Sequence, residues 1–143
     1  MARLVASGCG TGFAPVAPGT VASLAALVIG ALLLAVSAAC LVIACGLAIF
    51  GGLWAIRRER ATNDPNWVVV DEFAGQWITM LGLGSVTPTG LAAAFLLFRA
   101  LDIVKPGPIG WADRQHGSFG VMADDVIAGL FGALMLYVMQ AWW

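Results

Sequence analysis

The feature that most constrains this chain is where charge is missing. Arg3 is the first charged residue and Arg57 the second, so residues 4–56 carry none. Residues 73–98 and 126–143 carry none either. A soluble domain has about 25% charged residues, whereas here 10% of 143 residues are charged and 61% are hydrophobic. The mean hydropathy is +0.93. Seven basic and eight acidic side chains, with a net charge of -1, cannot cover a water-soluble globule of this size. That composition excludes an ordinary cytosolic enzyme, a disordered tail and a basic nucleic-acid binder. It predicts an all-α, polytopic membrane helix bundle formed by residues 1–143 as one domain.

Segment lengths follow from the bilayer. A spanning helix needs about 20 apolar residues for a hydrocarbon core of about 30 Å. As one helix, residues 21–56 would run about 54 Å at 1.5 Å per residue. They must therefore break, near Ser37, into a hairpin of roughly 20–36 and 39–56. Before it, SGCGTGFAPVAPGT at 7–20 is too rich in Gly and Pro for a helix interior and reads as a loop, with Thr20 as helix cap. No apolar core precedes a cleavage site, so no cleavable signal peptide is expected. After a polar connector at 57–70, Asp71 and Glu72 open a third apolar segment, interrupted by Gly82, Gly84, Ser85 and Pro88. A fourth runs from about 88 to 101. These legs, roughly 11–14 residues, are short enough to be tilted or partly re-entrant. Residues 102–120 are polar, with Pro106 and Pro108 blocking helix. A fifth segment follows Asp124 and Asp125 and ends at Trp142 and Trp143, residues suited to a membrane interface. The expected fold is about five hydrophobic helices: two hairpins plus a C-terminal span. Cys9, Cys40 and Cys45 form no CxxC or CxxH pair and read as inert thiols.

Charge sets the orientation. Five segments place Arg3, the 57–70 connector and the 99–120 loop on one side, together with all seven basic residues. A single span over 73–98 would split them four and three. The positive-inside rule favours five segments and a cytoplasmic polar face.

That topology gathers Asp71, Glu72, Asp102, Asp113, Asp124 and Asp125 on one face. A single acid at a segment end is an ordinary solvated flank, or a charge favourable to a helix N-terminus. Two adjacent acidic pairs at two helix starts, in a chain this poor in charge, point instead to an oxygen-rich site for Mg²⁺ or Mn²⁺. Asp71, Glu72, Asp124 and Asp125 are the expected ligands, with Asp102 and Asp113 completing or orienting the site. Gly75 and Gly129 follow Asp71 and Asp125 by four residues; they can bring two helices close, or serve ordinary small-residue packing. Arg99, Lys105 and Arg114 are interleaved with the acids, as a phosphate substrate requires, or as neighbouring salt bridges would. The loop carrying Gly12 and Gly19, with Thr20 and Ser23, can wrap a phosphate in backbone N–H groups. It is neither a Walker A motif nor a dinucleotide fingerprint. His116, the only histidine, is a bystander or a proton carrier. Serine-hydrolase chemistry lacks a triad partner.

Four motifs occur in order along the chain: GTGFAPVAPGT at 10–20 followed by Ser23, DEFAGQWIT at 71–79, FRALDIVKPGPIGWADR at 98–114 and GSFGVMADDVIAGL at 117–130. This series resembles the phosphatidylglycerophosphatase A family. The resemblance implies a bacterial inner-membrane, Mg²⁺-dependent lipid phosphatase of phospholipid biosynthesis. Its membrane-lipid substrate would be phosphatidylglycerophosphate, cleaved to phosphatidylglycerol and phosphate. The motif positions correspond to Asp71, Glu72, Asp102, Lys105, Asp113, Arg114, Asp124 and Asp125. The chain departs from the family pattern at Ala22, usually Gly, at Val104 and Gly107, usually Trp, and at Gly110, usually Arg. A phosphatase for another phospholipid monoester, a small cation transporter using the carboxylates, and a non-catalytic membrane subunit are the alternative readings.

Overall fold

The structure, a computed structural model, describes residues 1–140 and 142. Among them, all regular structure is helical. The elements are α1 (Ala2–Ala6), a 3-10 turn (Thr11–Phe13), α2 (Pro18–Val36), α3 (Ala38–Arg58), α4 (Val70–Met80), α5 (Pro88–Val104), α6 (Pro108–Asp113) and α7 (Gly117–Gln140). Helices α2 and α3 form one hairpin, α4 and α5 a second, and α7 returns alone. These are the five hydrophobic helices expected.

Local chemistry explains the turns. Ser37 is extended, and its hydroxyl accepts a 3.2 Å hydrogen bond from Cys40 N, capping α3. The break therefore falls at Ser37, as expected. Thr87 caps α5 in the same way, through Gly90 N at 3.1 Å, and Pro88 supplies a pre-set φ in the first turn. At that end of the bundle Gln140 clasps the 81–87 turn: its Nε2 donates to Gly82 O, and its Oε1 accepts from Gly84 N at 2.5 Å.

Helices α2, α3 and α7 are long and apolar enough to cross a membrane. Their outer faces expose Val28, Leu32, Leu47, Phe50 and Leu134, which suits lipid and not water. Helix α4 has 11 residues, about 16 Å long, and α5 has 17, about 26 Å. The short helix is the centre of the bundle. It packs against α7, α3, α2 and α5, and of its residues only Glu72 and Trp77 are not fully buried.

Four details differ from the expectations. Thr20 caps nothing: α2 starts at Pro18 after Ala17, without a side-chain cap, and Thr20 lies inside the first turn. Pro108 opens α6 instead of blocking helix, because an N-terminal turn does not need the N–H that proline lacks. Helix α5 continues to Val104, so Asp102 is helical. Helix α7 begins at Gly117, so Asp124 and Asp125 sit two turns inside it and not at its start. Trp142 is exposed near the chain end; Trp143 lies outside the described residues.

Candidate active site

Three helices converge their acids. The first turn of α4 supplies Asp71 and Glu72, the last turn of α5 supplies Asp102, and the interior of α7 supplies Asp124 and Asp125. Asp71, Asp124 and Asp125 are 6%, 4% and 3% exposed, values reached by carboxylates only when something compensates their charge. Two triads result. In one, oxygens of Asp71, Glu72 and Asp125 lie within 4.8 Å of one another; in the other, oxygens of Asp102, Asp124 and Asp125 do. Asp125 belongs to both. Of the four expected ligands, Asp71, Glu72 and Asp125 share one triad, while Asp124 lies with Asp102 and Asp125 in the other. Asp113 stands outside both triads.

The close approach of α4 and α7 depends on Gly75. A Cβ there would stand 2.6 Å from Asp125 O and 2.4 Å from the Phe98 ring. Without that contact, the acids of α4 and α7 would stand farther apart.

The cations are distributed unevenly. Arg99 pairs with Asp102 one turn further along α5. Lys105 Nζ lies 2.5 Å from Asp113 Oδ1 and 2.5 Å from Asp124 Oδ2. It ends α5 in the left-handed region, at φ +48°, where the chain turns toward α6. Burial opposes its charge, but the bonds to Asp113 and Asp124 outweigh burial and hold its pKa above the usual lysine value. Neither Asp71 nor Glu72 has an ion-pair partner among the described residues. Asp71 Oδ1, Glu72 Oε2 and Asp124 Oδ1 are buried with no hydrogen-bond donor. Such orphaned carboxylate oxygens cost several kcal/mol as charged groups unless a cation or a proton meets them. Hard, clustered, anionic oxygens are the donor set that Mg²⁺ or Mn²⁺ takes, so the residues present fit a divalent ion.

The other expected site residues fall at different distances from this centre. Gly19 is adjacent: a Cβ on it would stand 2.3 Å from Glu72 Oε1 and 3.5 Å from Arg99 Nη1. Thr20 is half-buried beside it. Ser23 is buried, and its hydroxyl donates to Gly19 O at 2.8 Å. Gly12 is buried beneath the Trp67 carbonyl. Arg114 is exposed at the end of α6, without an ion pair among the described residues. A cavity of about 270 Å³ lies over Asp124, walled by Asp64, Asp113 and His116 with Thr62 and Asn63. His116 therefore faces the approach to the acids. Thr62, Asn63 and Asp64 were not legible as site residues, because nothing distinguishes them from any polar connector. Gln76 was also missed. It is fully buried one turn after Glu72, with both amide atoms unpartnered. Its signal was a lone amide inside an apolar helix.

Fold and site together define a small polytopic membrane protein with a buried carboxylate centre and cations at its edge. The family model described as Phosphatidylglycerophosphatase A matches residues 4–140. The Phosphatidylglycerophosphatase A of Escherichia coli K12 is 38% identical over 147 aligned residues, covering 99% of this chain and 84% of that protein. The Haemophilus influenzae protein of the same name is 33% identical, covering 98% and 89%. A Bacteroides thetaiotaomicron protein provisionally named a phosphatidylinositol-3-phosphatase is 37% identical, covering 94% and 91%. No solved structure matches. The chain belongs to the phosphatidylglycerophosphatase A family, and with it to the phosphoric monoester hydrolases.

Proposed function

We propose that this protein is a Mg²⁺-dependent lipid phosphatase. It hydrolyses phosphatidylglycerophosphate to phosphatidylglycerol and phosphate at the cytoplasmic face of a bacterial inner membrane. The observation that carries this reading is the pair of carboxylate triads sharing Asp125 next to Lys105 and Arg99. Family membership supports the substrate, and the basic residues flanking the acids support the cytoplasmic side.

Asp71, Glu72, Asp102, Asp124 and Asp125 would hold the ion or ions. An ion held there would supply Lewis acidity, drawing charge from phosphoryl oxygens and lowering the pKa of an attacking water. Lys105 and Arg99 grip the phosphate, the first as a point charge and the second as a planar clamp. Water attacks in line: an oxygen–phosphorus bond forms as the bond to the glycerol oxygen breaks. A triad carboxylate oxygen left free by the ion would accept the proton that water loses and pass it to the departing glycerol oxygen. Apolar clefts against α7, one lined by Leu53, Phe119 and Val126 and another by Leu101, Ile109 and Phe131, give acyl chains a path beside the site.

A second headgroup is the nearest alternative, favoured by the provisional name of the Bacteroides relative. Transport is disfavoured, because among the described residues every acid lies toward the end opposite Ser37 and the 81–87 turn. The test is phosphate release from phosphatidylglycerophosphate by purified protein with Mg²⁺, with chelator, and with Asp125→Asn. Release that needs both the metal and Asp125 supports the reading. Release unaffected by either removes it.

A further inference from the structure

The two triads share one residue but differ in what neutralises them. Asp102 and Asp124 already meet tethered cations, Arg99 and Lys105. Asp71 and Glu72 make no ion pair among the described residues, though Arg99 lies near Glu72, and each keeps a buried oxygen without a donor. A cation entering beside Asp71, Glu72 and Asp125 therefore displaces no ion pair. A cation entering beside Asp102, Asp124 and Asp125 must compete with two.

Resting on the metal-dependent reading above, we infer that the triads fill at different stages. Asp71, Glu72 and Asp125 hold a divalent ion in the free protein. Asp102, Asp124 and Asp125 take a second ion only when a phosphate group draws Lys105 and Arg99 away.

Charge balance carries the argument. Asp102, Asp124 and Asp125 share Arg99 and Lys105, so this set attracts a further cation less than Asp71, Glu72 and Asp125, which have no ion pair among the described residues. A phosphate dianion offers Lys105 and Arg99 a partner of higher charge and more acceptor oxygens than Asp124 or Asp102. Once they turn to it, Asp102 and Asp124 become uncompensated, and Asp124 Oδ1 is already without a donor. The ion and the phosphate then favour each other's binding, and linkage requires the effect to be reciprocal. Lys105 is suited to this exchange. It is about a quarter exposed, and it is held by Asp113 as well as Asp124, so it can keep one partner while releasing the other.

The test counts ions instead of turnover. Detergent-purified protein is titrated with Mn²⁺ and free ion is read by electron paramagnetic resonance, with and without inorganic phosphate. We expect one ion per chain alone and two with phosphate, the second tightened by on the order of tenfold or more. Asp71→Asn should remove the phosphate-independent ion, and Asp102→Asn only the phosphate-dependent one. Lys105→Met should admit the second ion without phosphate. If that variant does not fold, the wild-type phosphate dependence decides alone. A non-hydrolysable phosphonate lipid forms a second arm. If it works and inorganic phosphate does not, the lipid headgroup is the trigger; if both work, the phosphate itself is. Two ions of similar affinity without phosphate, or one ion regardless of phosphate, would overturn the staged filling while leaving a metal site. No ion under any condition would overturn the metal-dependent reading itself.

Discussion

Gly129 rests on the backbone of Gly75. A Cβ added to Gly129 would stand 2.6 Å from the Gly75 carbonyl oxygen and 3.1 Å from its Cα. This contact sets the spacing of α4 and α7 one turn from Asp71 and Asp125, the residues whose proximity makes the first triad. Inside a membrane, helices associate largely through such packing, since lipid is as apolar as leucine.

Gly129→Val should therefore act on both stability and chemistry. The added atoms meet backbone, which cannot swing aside. The expected loss is about 1–3 kcal/mol, read as a lower unfolding temperature in detergent. Activity should fall further than stability explains, because the carboxylates move apart. A variant as stable and as active as wild type would show that the crossing does not position the site.

Gly19→Ala should separate the two effects in the other direction. Its Cβ would meet Glu72 Oε1, the mobile end of a side chain, so α2 keeps its place and the carboxylate shifts instead. The unfolding temperature should hardly change, while half-saturating Mg²⁺ should rise. A Mg²⁺ requirement equal to wild type would place Glu72 outside the metal site.

Asp125→Asn should be the most damaging single neutralisation, since Asp125 alone belongs to both triads. Turnover should fall to background with the protein still inserted and helical by circular dichroism. Asp113→Asn, outside the triads, should retain measurable activity. Equal loss in both variants would argue against separating Asp113 from the acids of the two triads.

Lys105→Met should weaken substrate binding by about 1.5–3 kcal/mol, the range for a hydrogen bond to a charged group, or roughly ten- to a hundredfold in KM. Arg114→Ala, at an exposed position without an ion pair among the described residues, should change KM far less. The reverse ranking would move the phosphate toward α6.

Water attack predicts that no phosphorylated protein accumulates. Acid quenching during turnover of ³²P-labelled substrate should leave the chain unlabelled. Label on Asp71 or Asp125 would replace the mechanism with an aspartyl-phosphate route.

Much of the architecture was legible because the bilayer is a strict solvent. An uncharged stretch of fixed length must break where a polar cap is available, and Ser37 was such a residue. The acidic pairs were legible because charge is scarce in this chain. What failed were boundaries at Gly and Pro. Gly117 and Gly120 read as loop residues, yet they lie in the first turn of α7. A Cβ on Gly120 would stand 1.9 Å from Gln115 O, so the glycine lets the helix start against the preceding turn. That misreading placed Asp124 and Asp125 at a helix start. Asp102 was under-read for a related reason: the polar stretch from 102 suggested that the fourth segment ended at about 101, whereas α5 continues to Val104 and carries Asp102 toward α7. The partners of Lys105 depend on the tertiary fold, and no spacing in the chain specifies them.

Seven residues of α7 precede Asp124, which puts the carboxylates about 10 Å along the helix from its first residue. Withdrawing an acyl chain from a bilayer costs about 0.8 kcal/mol per methylene, a prohibitive sum for a lipid with two long chains. On the proposed function, a site set among the membrane helices does not ask for it: the headgroup would reach the carboxylates while the tails stay in the bilayer, and encounter would become a search in two dimensions. Turnover should then follow the mole fraction of substrate in the membrane and not its concentration in the tube: diluting it with inert lipid should slow the enzyme, and diluting the whole suspension with buffer should not.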